Sequence, residues 1–204
     1  GLTLLGRQAV QIMNETGIAI DLSHVGQRTM MDAIEASEQP VLITHANARA
    51  LANLERNKTD DIIRLVAAKG GIVGASIYGP MCWDGDANRK PTIDDYLRHL
   101  DHLVEVAGIE HVGFGTDLAT GANYSKMAFE RTHWRRWEGI NRFNRVFGED
   151  IPSRYLADCN KHSDLPKVTE ALVQRGWSEP DIKGYLGRNF RRVLDQIWSA
   201  GCSV

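Results

Sequence analysis

Two histidines each end a short apolar run, and this pair is the feature of the sequence that points to chemistry. His24 ends the run 17–24, and His45 ends the run 40–45. A helix-like segment, 27–38, separates the runs, which is the pattern of a βαβ unit with buried parallel strands. Because ligands of α/β folds bind where the carboxyl ends of such strands meet, we expect the imidazoles to converge in a metal or catalytic site. The alternative is two unrelated loop histidines.

A carboxylate and a guanidinium accompany the histidines. The apolar run 111–116 is followed by Asp117, and a carboxylate near a metal can accept a proton from an attacking water. Arg56 offers a two-pronged match to a substrate carboxylate, although an arginine in a polar loop is more often only solvated. Two histidines do not complete the site, since a catalytic zinc takes three protein ligands and a two-metal site needs a bridging carboxylate.

Length and composition fit one globular domain that comprises residues 1–204. The chain is 43% hydrophobic and 25% charged, and it is long enough for one sizeable core. Its formal net charge of −2 gives no electrostatic case for nucleic acid or an anionic membrane, and no apolar run has the length of a transmembrane segment. Three scattered cysteines form neither a disulfide framework nor a Cys-x-x-Cys site. We interpret them as free thiols. Free thiols mildly favour a cytoplasmic compartment, but the sequence leaves localisation open.

The order of the apolar runs predicts a helix followed by four strand–helix units. The predicted strands are 18–23, 41–44, 72–77 and 111–116, and the predicted helices are 3–15, 27–38, 59–69, 92–107, 164–175 and 179–198. This order is typical of an α/β fold with four parallel strands and outer helices. Since a barrel closes with about eight strands, four would make half of one, with two edges that something else must cover.

The segment 118–161 has a different composition. It interleaves aromatic residues with arginines, a pattern that can suit single-stranded nucleic acid. Acidic residues dilute that pattern. We therefore expect no nucleic-acid partner, and predict an aromatic-rich insertion that packs over the strand ends as a partial lid.

Several motifs together resemble a known family. The chain is similar to the membrane (renal-type) dipeptidase family of zinc metallopeptidases in the segments 21–25, 40–49, 56–57, 106–108, 112–117 and 187–193. The spacings of 21 residues from His24 to His45 and of 11 residues from His45 to Arg56 also fit the family. The resemblance covers nearly all of the chain outside 118–161.

The resemblance implies the second half of a (β/α)8 TIM-like barrel whose complete site holds two zinc ions joined by a glutamate. By position, His24 and His45 correspond to ligands of the second zinc. Arg56 corresponds to the residue that holds the free carboxylate of a dipeptide. Asp117 corresponds to a catalytic residue that contacts the substrate and accepts the proton of a metal-bridging water. The implied activity is zinc-dependent hydrolysis of dipeptides by that water, and a homodimer is a possible assembly.

Two departures from the family pattern qualify this expectation. The family's His-x-Asp motif, its bridging Glu and a further His belong to a region upstream of Gly1. We therefore expect the isolated chain to carry part of the site, to bind metal weakly and to be inactive without an upstream half. Asp117 is followed by Leu118 and Ala119, where the family commonly has Phe and Asp, which leaves the substrate range open. The alternatives are another two-metal amidohydrolase-type barrel and a noncatalytic scaffold.

Overall fold

The structure is a computed structural model, and it describes residues 1–119, 145–147 and 151–201. The predicted insertion 118–161, its partial lid and Cys202 lie wholly or largely outside these residues. The strands are β1 Leu42–Ile43, β2 Ile72–Ala75 and β3 Val112–Phe114. The helices are α1 Leu4–Glu15, α2 Gln27–Ala36, α3 Asp60–Ala68, α4 Gly79–Cys82, α5 Ile93–Ala107, α6 Pro166–Gln174, α7 Glu179–Lys183 and α8 Asn189–Gly201. Short 3₁₀ turns span Ile109–His111, Ile151–Arg154 and His162–Asp164, and a π-helical turn spans Gly184–Arg188.

The three strands form one parallel sheet in the order β1-β2-β3. Every residue of β1 and β2 is buried, because apolar side chains cover both faces. On one face Leu42 and Ile72 pack with Val193 of α8, and on the other Ile43 and Val73 join the main core. A sheet buried on both faces explains why these strands are continuous apolar runs in the sequence. The predicted α/β class with parallel strands is confirmed.

The prediction of four strands is wrong for the described residues. The segment 18–23 forms a single parallel bridge, between Asp21 and Leu42. The Leu42 amide donates to the Ile20 carbonyl, and the Leu22 amide donates to the Leu42 carbonyl, both at 2.8 Å. Backbone pairing then stops, because the backbone amides and carbonyls that follow form hydrogen bonds with side chains instead.

Side chains take over the backbone groups that a longer ladder would use. The amide of Thr44 donates to the Asp21 carboxylate at 3.1 Å. The Leu22 carbonyl accepts from the Lys58 ammonium at 3.4 Å. The Ser23 carbonyl accepts from Lys58 at 2.9 Å and from Arg56 at 2.7 Å. The strand is therefore replaced by a hydrogen-bonded turn that presents His24.

Helix α1, which was predicted over 3–15, leaves several of its apolar side chains exposed. It begins after Thr3, whose hydroxyl accepts from the Gly6 amide at 3.1 Å. Its buried side chains are Val10 and Asn14, whereas Leu4 and Leu5 are 84% and 74% exposed. Apolar side chains of α1 therefore lie at the surface.

His99 is a buried titratable residue of α5. Its imidazole is 2% exposed, and its Nδ1 faces the Ala48 amide at 3.2 Å. Since an amide N–H can only donate, Nδ1 must be unprotonated and accept. Burial, reinforced by the positive charge of Arg98, lowers the pKa of His99 from 6.5 to about 4.

We expect the free energy of unfolding to fall as the pH drops from 6.5 toward 4. Between pH 6.5 and pH 4 the unfolded chain binds a proton at His99 that the folded chain does not bind. Lowering the pH through this range therefore favours the unfolded state. Between pH 7 and pH 5 the His99 contribution is about 2 kcal/mol. His99→Asn supplies an amide oxygen near the Nδ1 position and does not titrate. Urea unfolding of the variant should therefore show a pH dependence weaker by that amount.

The exposed His162 provides the matched control. Urea unfolding of His162→Asn should retain the full pH dependence of the parent. Equal pH dependences for the parent and His99→Asn would contradict the assignment of a buried neutral ring.

Candidate active site

The structure places the rings of His24 and His45 against each other. Their Nε2 atoms are 2.9 Å apart, and their ring centroids are 5.0 Å apart. His24 lies at the surface in the turn after the bridged segment, while His45 is half-buried just beyond β1. The two residues that end neighbouring apolar runs in the sequence therefore share one site.

The Asp21 carboxylate organises the backbone and hydroxyls behind the rings. It accepts from the hydroxyl of Ser23 at 2.6 Å and from that of Thr44 at 2.8 Å, and the amides of both residues also donate to it. Partial burial raises the pKa of the Asp21 carboxyl, but these hydrogen bonds outweigh it and hold the pKa below its usual value. Asp21 is therefore ionised and can only accept.

This arrangement fixes the tautomer of His45. Ser23 and Thr44 commit their single hydroxyl protons to Asp21, so the Thr44 oxygen, 2.9 Å from His45 Nδ1, must accept. His45 then carries its proton on Nδ1 and leaves a lone pair on Nε2. A hydrogen bond to the other ring nitrogen is the usual way in which proteins orient a metal-ligating histidine.

Arg56 fixes the tautomer of His24 in the same way, with Nε2 unprotonated. Its Nη2 donates to His24 Nε2 at 3.0 Å, and its Nη1 donates to the Ser23 carbonyl at 2.7 Å. A guanidinium has no acceptor, so His24 Nε2 also presents a lone pair. Two unprotonated Nε2 atoms that face each other suit a divalent cation, which imidazole nitrogens bind at about 2.0–2.1 Å.

Both imidazoles are neutral at neutral pH. Partial burial of its ring lowers the pKa of His24, and the positive charge of Arg56 adds to the effect. Burial also lowers the pKa of His45, while the negative charge of Asp117 opposes it. Neutral rings are the form that binds metal.

Asp117 follows β3 in an unusual backbone conformation. Its φ of 56° lies in the left-handed region, and its side chain is exposed. Its charge raises the pKa of His24, His45 and Arg56, which places the carboxylate within electrostatic reach of all three. The four candidate residues of the sequence analysis thus share one end of the sheet, and their roles as ligands, base and substrate contact stay predictions.

Lys58 is a part of the site that sequence reasoning missed. Its side chain is 1% exposed, and it donates to the carbonyls of Leu22 and Ser23 behind His24. Burial lowers the pKa of Lys58 to about 8. A lysine in a polar segment carries no local signal of burial, so the sequence offered no means of finding it. Tyr78 was missed as well; burial raises its pKa, and the charges of Asp117 and Arg56 reach it.

Across residues 1–119, 145–147 and 151–201, no three His, Cys, Asp or Glu side chains are grouped so as to hold a metal ion. His24 and His45 are the two candidate ligands that the structure brings together. In the same residues no helix is long and apolar enough to cross a membrane.

The fold and the histidine pair define an α/β protein with two facing imidazoles at the carboxyl end of a parallel sheet. Residues 1–130 match the membrane dipeptidase family, peptidase family M19. The chain belongs to this family, as the sequence motifs indicated.

Relatives of known sequence and structure agree with this family. An uncharacterized dipeptidase of Schizosaccharomyces pombe is 39% identical over 195 residues, which are 95% of this chain and 39% of that protein. Dipeptidase 3 of Rattus norvegicus is 30% identical over 197 residues, which are 97% of this chain and 33% of that protein. The crystal structure of a Rhodobacter sphaeroides metallo peptidase liganded with a phosphinate mimic of the dipeptide L-Ala-D-Ala aligns with a TM-score of 0.74 at 25% identity. That alignment covers 97% of this chain and 48% of the other, so the chain spans half or less of these relatives.

Proposed function

We propose that this chain supplies part of the active site of a zinc-dependent dipeptidase in which a metal-bridging water is the nucleophile. The observation that carries the proposal is the pair of unprotonated Nε2 atoms of His24 and His45, 2.9 Å apart. Arg56 and Asp117 accompany them, and family membership supports the same activity.

The histidines would hold one zinc ion through Nε2. A bound zinc polarises a carbonyl and lowers the pKa of its water toward about 7. Arg56 donates to the free carboxylate of the dipeptide. Its Nη1 stays on the Ser23 carbonyl, while its Nη2 becomes available when His24 Nε2 has another partner.

Asp117 acts on the proton of the attacking water. Its carboxylate accepts that proton as a general base, and it contacts the dipeptide at the same end of the sheet.

We further propose that residues 1–204 form one domain that is the second half of a (β/α)8 barrel. The three parallel strands and one bridged segment of the described residues cannot close into a barrel. The exposed Leu4 and Leu5 of α1 give the chain an apolar surface that a further part of a barrel would cover. A homodimer stays a prediction.

Metal-dependent hydrolysis by the complete gene product tests the proposed function. A panel of dipeptides that includes L-Ala-D-Ala should be hydrolysed in the presence of zinc. A chelator should abolish the activity and zinc should restore it. The isolated chain of residues 1–204 should be inactive, because its described residues offer two metal ligands.

Three outcomes would contradict the proposal. Hydrolysis that survives complete removal of metal would exclude the zinc mechanism. Turnover of cyclic amides with dipeptides left intact would favour another amidohydrolase-type barrel. A product that holds no zinc and hydrolyses nothing would favour a noncatalytic scaffold.

A further inference from the structure

The hydroxyl of Tyr155 bonds to the backbone on both sides of the turn that carries Asp117. It donates to the Asp117 carbonyl at 2.8 Å and accepts from the Ala119 amide at 2.7 Å. Tyr155 is 2% exposed, and in such surroundings a hydrogen bond is electrostatically stronger than in water.

The turn after β3 needs such support. Asp117 has a φ of 56°, a left-handed conformation that persists in a residue other than glycine when its surroundings determine it. The ladder of the sheet ends before it, with the Gly115 amide donating to the Ala75 carbonyl at 3.0 Å. Between them, the Leu118 amide reaches the Thr116 hydroxyl at 3.3 Å, which is a long hydrogen bond. The two short bonds to Tyr155 are therefore the strongest described contacts of the turn.

Tyr155 is itself held against the loop after β2. Its backbone forms an antiparallel bridge with Tyr78, and the two rings meet edge to face with centroids 5.9 Å apart. A Cβ at Gly79 would lie 2.6 Å from the Arg154 carbonyl, so glycine permits this close approach. The tyrosine is thus fixed to the sheet independently of Asp117.

We infer that Tyr155 is a positioning residue, whose hydroxyl holds the left-handed turn that directs the Asp117 carboxylate toward His24, His45 and Arg56. The effect of Tyr155 on catalysis rests on the proposed function. Its effect on the backbone of the turn does not, and the two effects can be measured separately.

Amide hydrogen exchange of the complete gene product, followed by NMR, tests the backbone contact. The Ala119 amide should be protected in the parent, and its exchange should accelerate at least about 10-fold in Tyr155→Phe, which removes only the hydroxyl. The Gly115 amide should keep its protection in both proteins, because its acceptor is the Ala75 carbonyl. An Ala119 amide that exchanges as an exposed amide in the parent overturns the inference even if the variant does not fold. Unchanged protection in a folded variant also overturns it.

Steady-state kinetics test the catalytic consequence. Tyr155→Phe should lower kcat about 10-fold or more, with KM and zinc content nearly unchanged, because a displaced base weakens the chemical step. In an Asp117→Asn background the same change should have little further effect, since the tyrosine acts through that carboxylate. Equal losses in both backgrounds, or a loss confined to KM, overturn the positioning role.

Tyr185→Phe is the matched control. Tyr185 is also fully buried, but its hydroxyl meets that of Tyr96 in the core and not the backbone of the turn. It should leave Ala119 exchange and kcat unchanged. If the parent hydrolyses no dipeptide, the proposed function fails, while the exchange measurement still decides whether Tyr155 holds the turn.

Discussion

Asp117→Asn is expected to lower kcat for dipeptide hydrolysis by about 100- to 10,000-fold, the usual contribution of a general base. The amide has the shape of the carboxylate but cannot accept the proton of the attacking water. Asparagine also tolerates the left-handed φ of 56° at this position, so the turn should persist. The measurement is kcat, KM and bound zinc in the purified complete gene product.

Retained zinc distinguishes this effect from general damage to the site. Asp117 is assigned to the proton and the substrate, so its replacement should leave the metal content of the protein at the parent value. Asp61→Asn, at an exposed carboxylate on α3, should leave both kcat and zinc unchanged. The assignment of the base fails if Asp117→Asn keeps nearly full activity, or if it loses zinc in proportion to activity.

The sheet was predictable because its strands are buried on both faces. Apolar runs in the sequence predicted β1, β2 and β3, although each strand is shorter in the structure. The final helix differs more. Residues predicted as one helix over 179–198 form α7, a π-helical turn and α8, and the apolar pattern alone does not reveal such a break.

Side-chain competition explains the missing strand. The run 18–23 has the composition of a strand, but the Asp21 carboxylate takes the Thr44 amide that a longer ladder would use. Lys58 and Arg56 then bind the carbonyls of the turn. Propensity is a local property, whereas these partners come from a segment more than 30 residues away.

The residues of the candidate site were predictable from the sequence, but the hydrogen-bond partners that orient them were not. His24 and His45 stand at the ends of apolar runs, so spacing alone predicted their convergence. The proton arrangement that leaves both Nε2 atoms unprotonated depends on hydroxyls and on Arg56. Tyr155 is 38 residues from Asp117 in the chain, and no sequence pattern links the two.

Removal of the His45 imidazole is expected to abolish most of the stabilisation that zinc confers. At a free zinc concentration of 100 times the parent Kd, zinc adds about 2.7 kcal/mol to the free energy of unfolding. Loss of a ligand should weaken zinc binding at least about 100-fold, more than is usual for a residue behind the ligands, and reduce that increment in His45→Ala to about 0.4 kcal/mol or less. Urea unfolding of the complete gene product with zinc and with a chelator measures both values.

The metal-free stability of the same variant should fall by about 1 kcal/mol, because the hydrogen bond from His45 Nδ1 to Thr44 is lost, whereas the two facing lone pairs contribute no favourable bond of their own. Thr44→Val should give an intermediate result. It removes the oxygen that accepts from His45 Nδ1, and a 10-fold loss of affinity would leave an increment of about 1.4 kcal/mol. His162→Ala, at an exposed histidine, should keep the full increment. A full increment in His45→Ala would show that zinc binds elsewhere, and the histidine pair would then lose its role as the metal site.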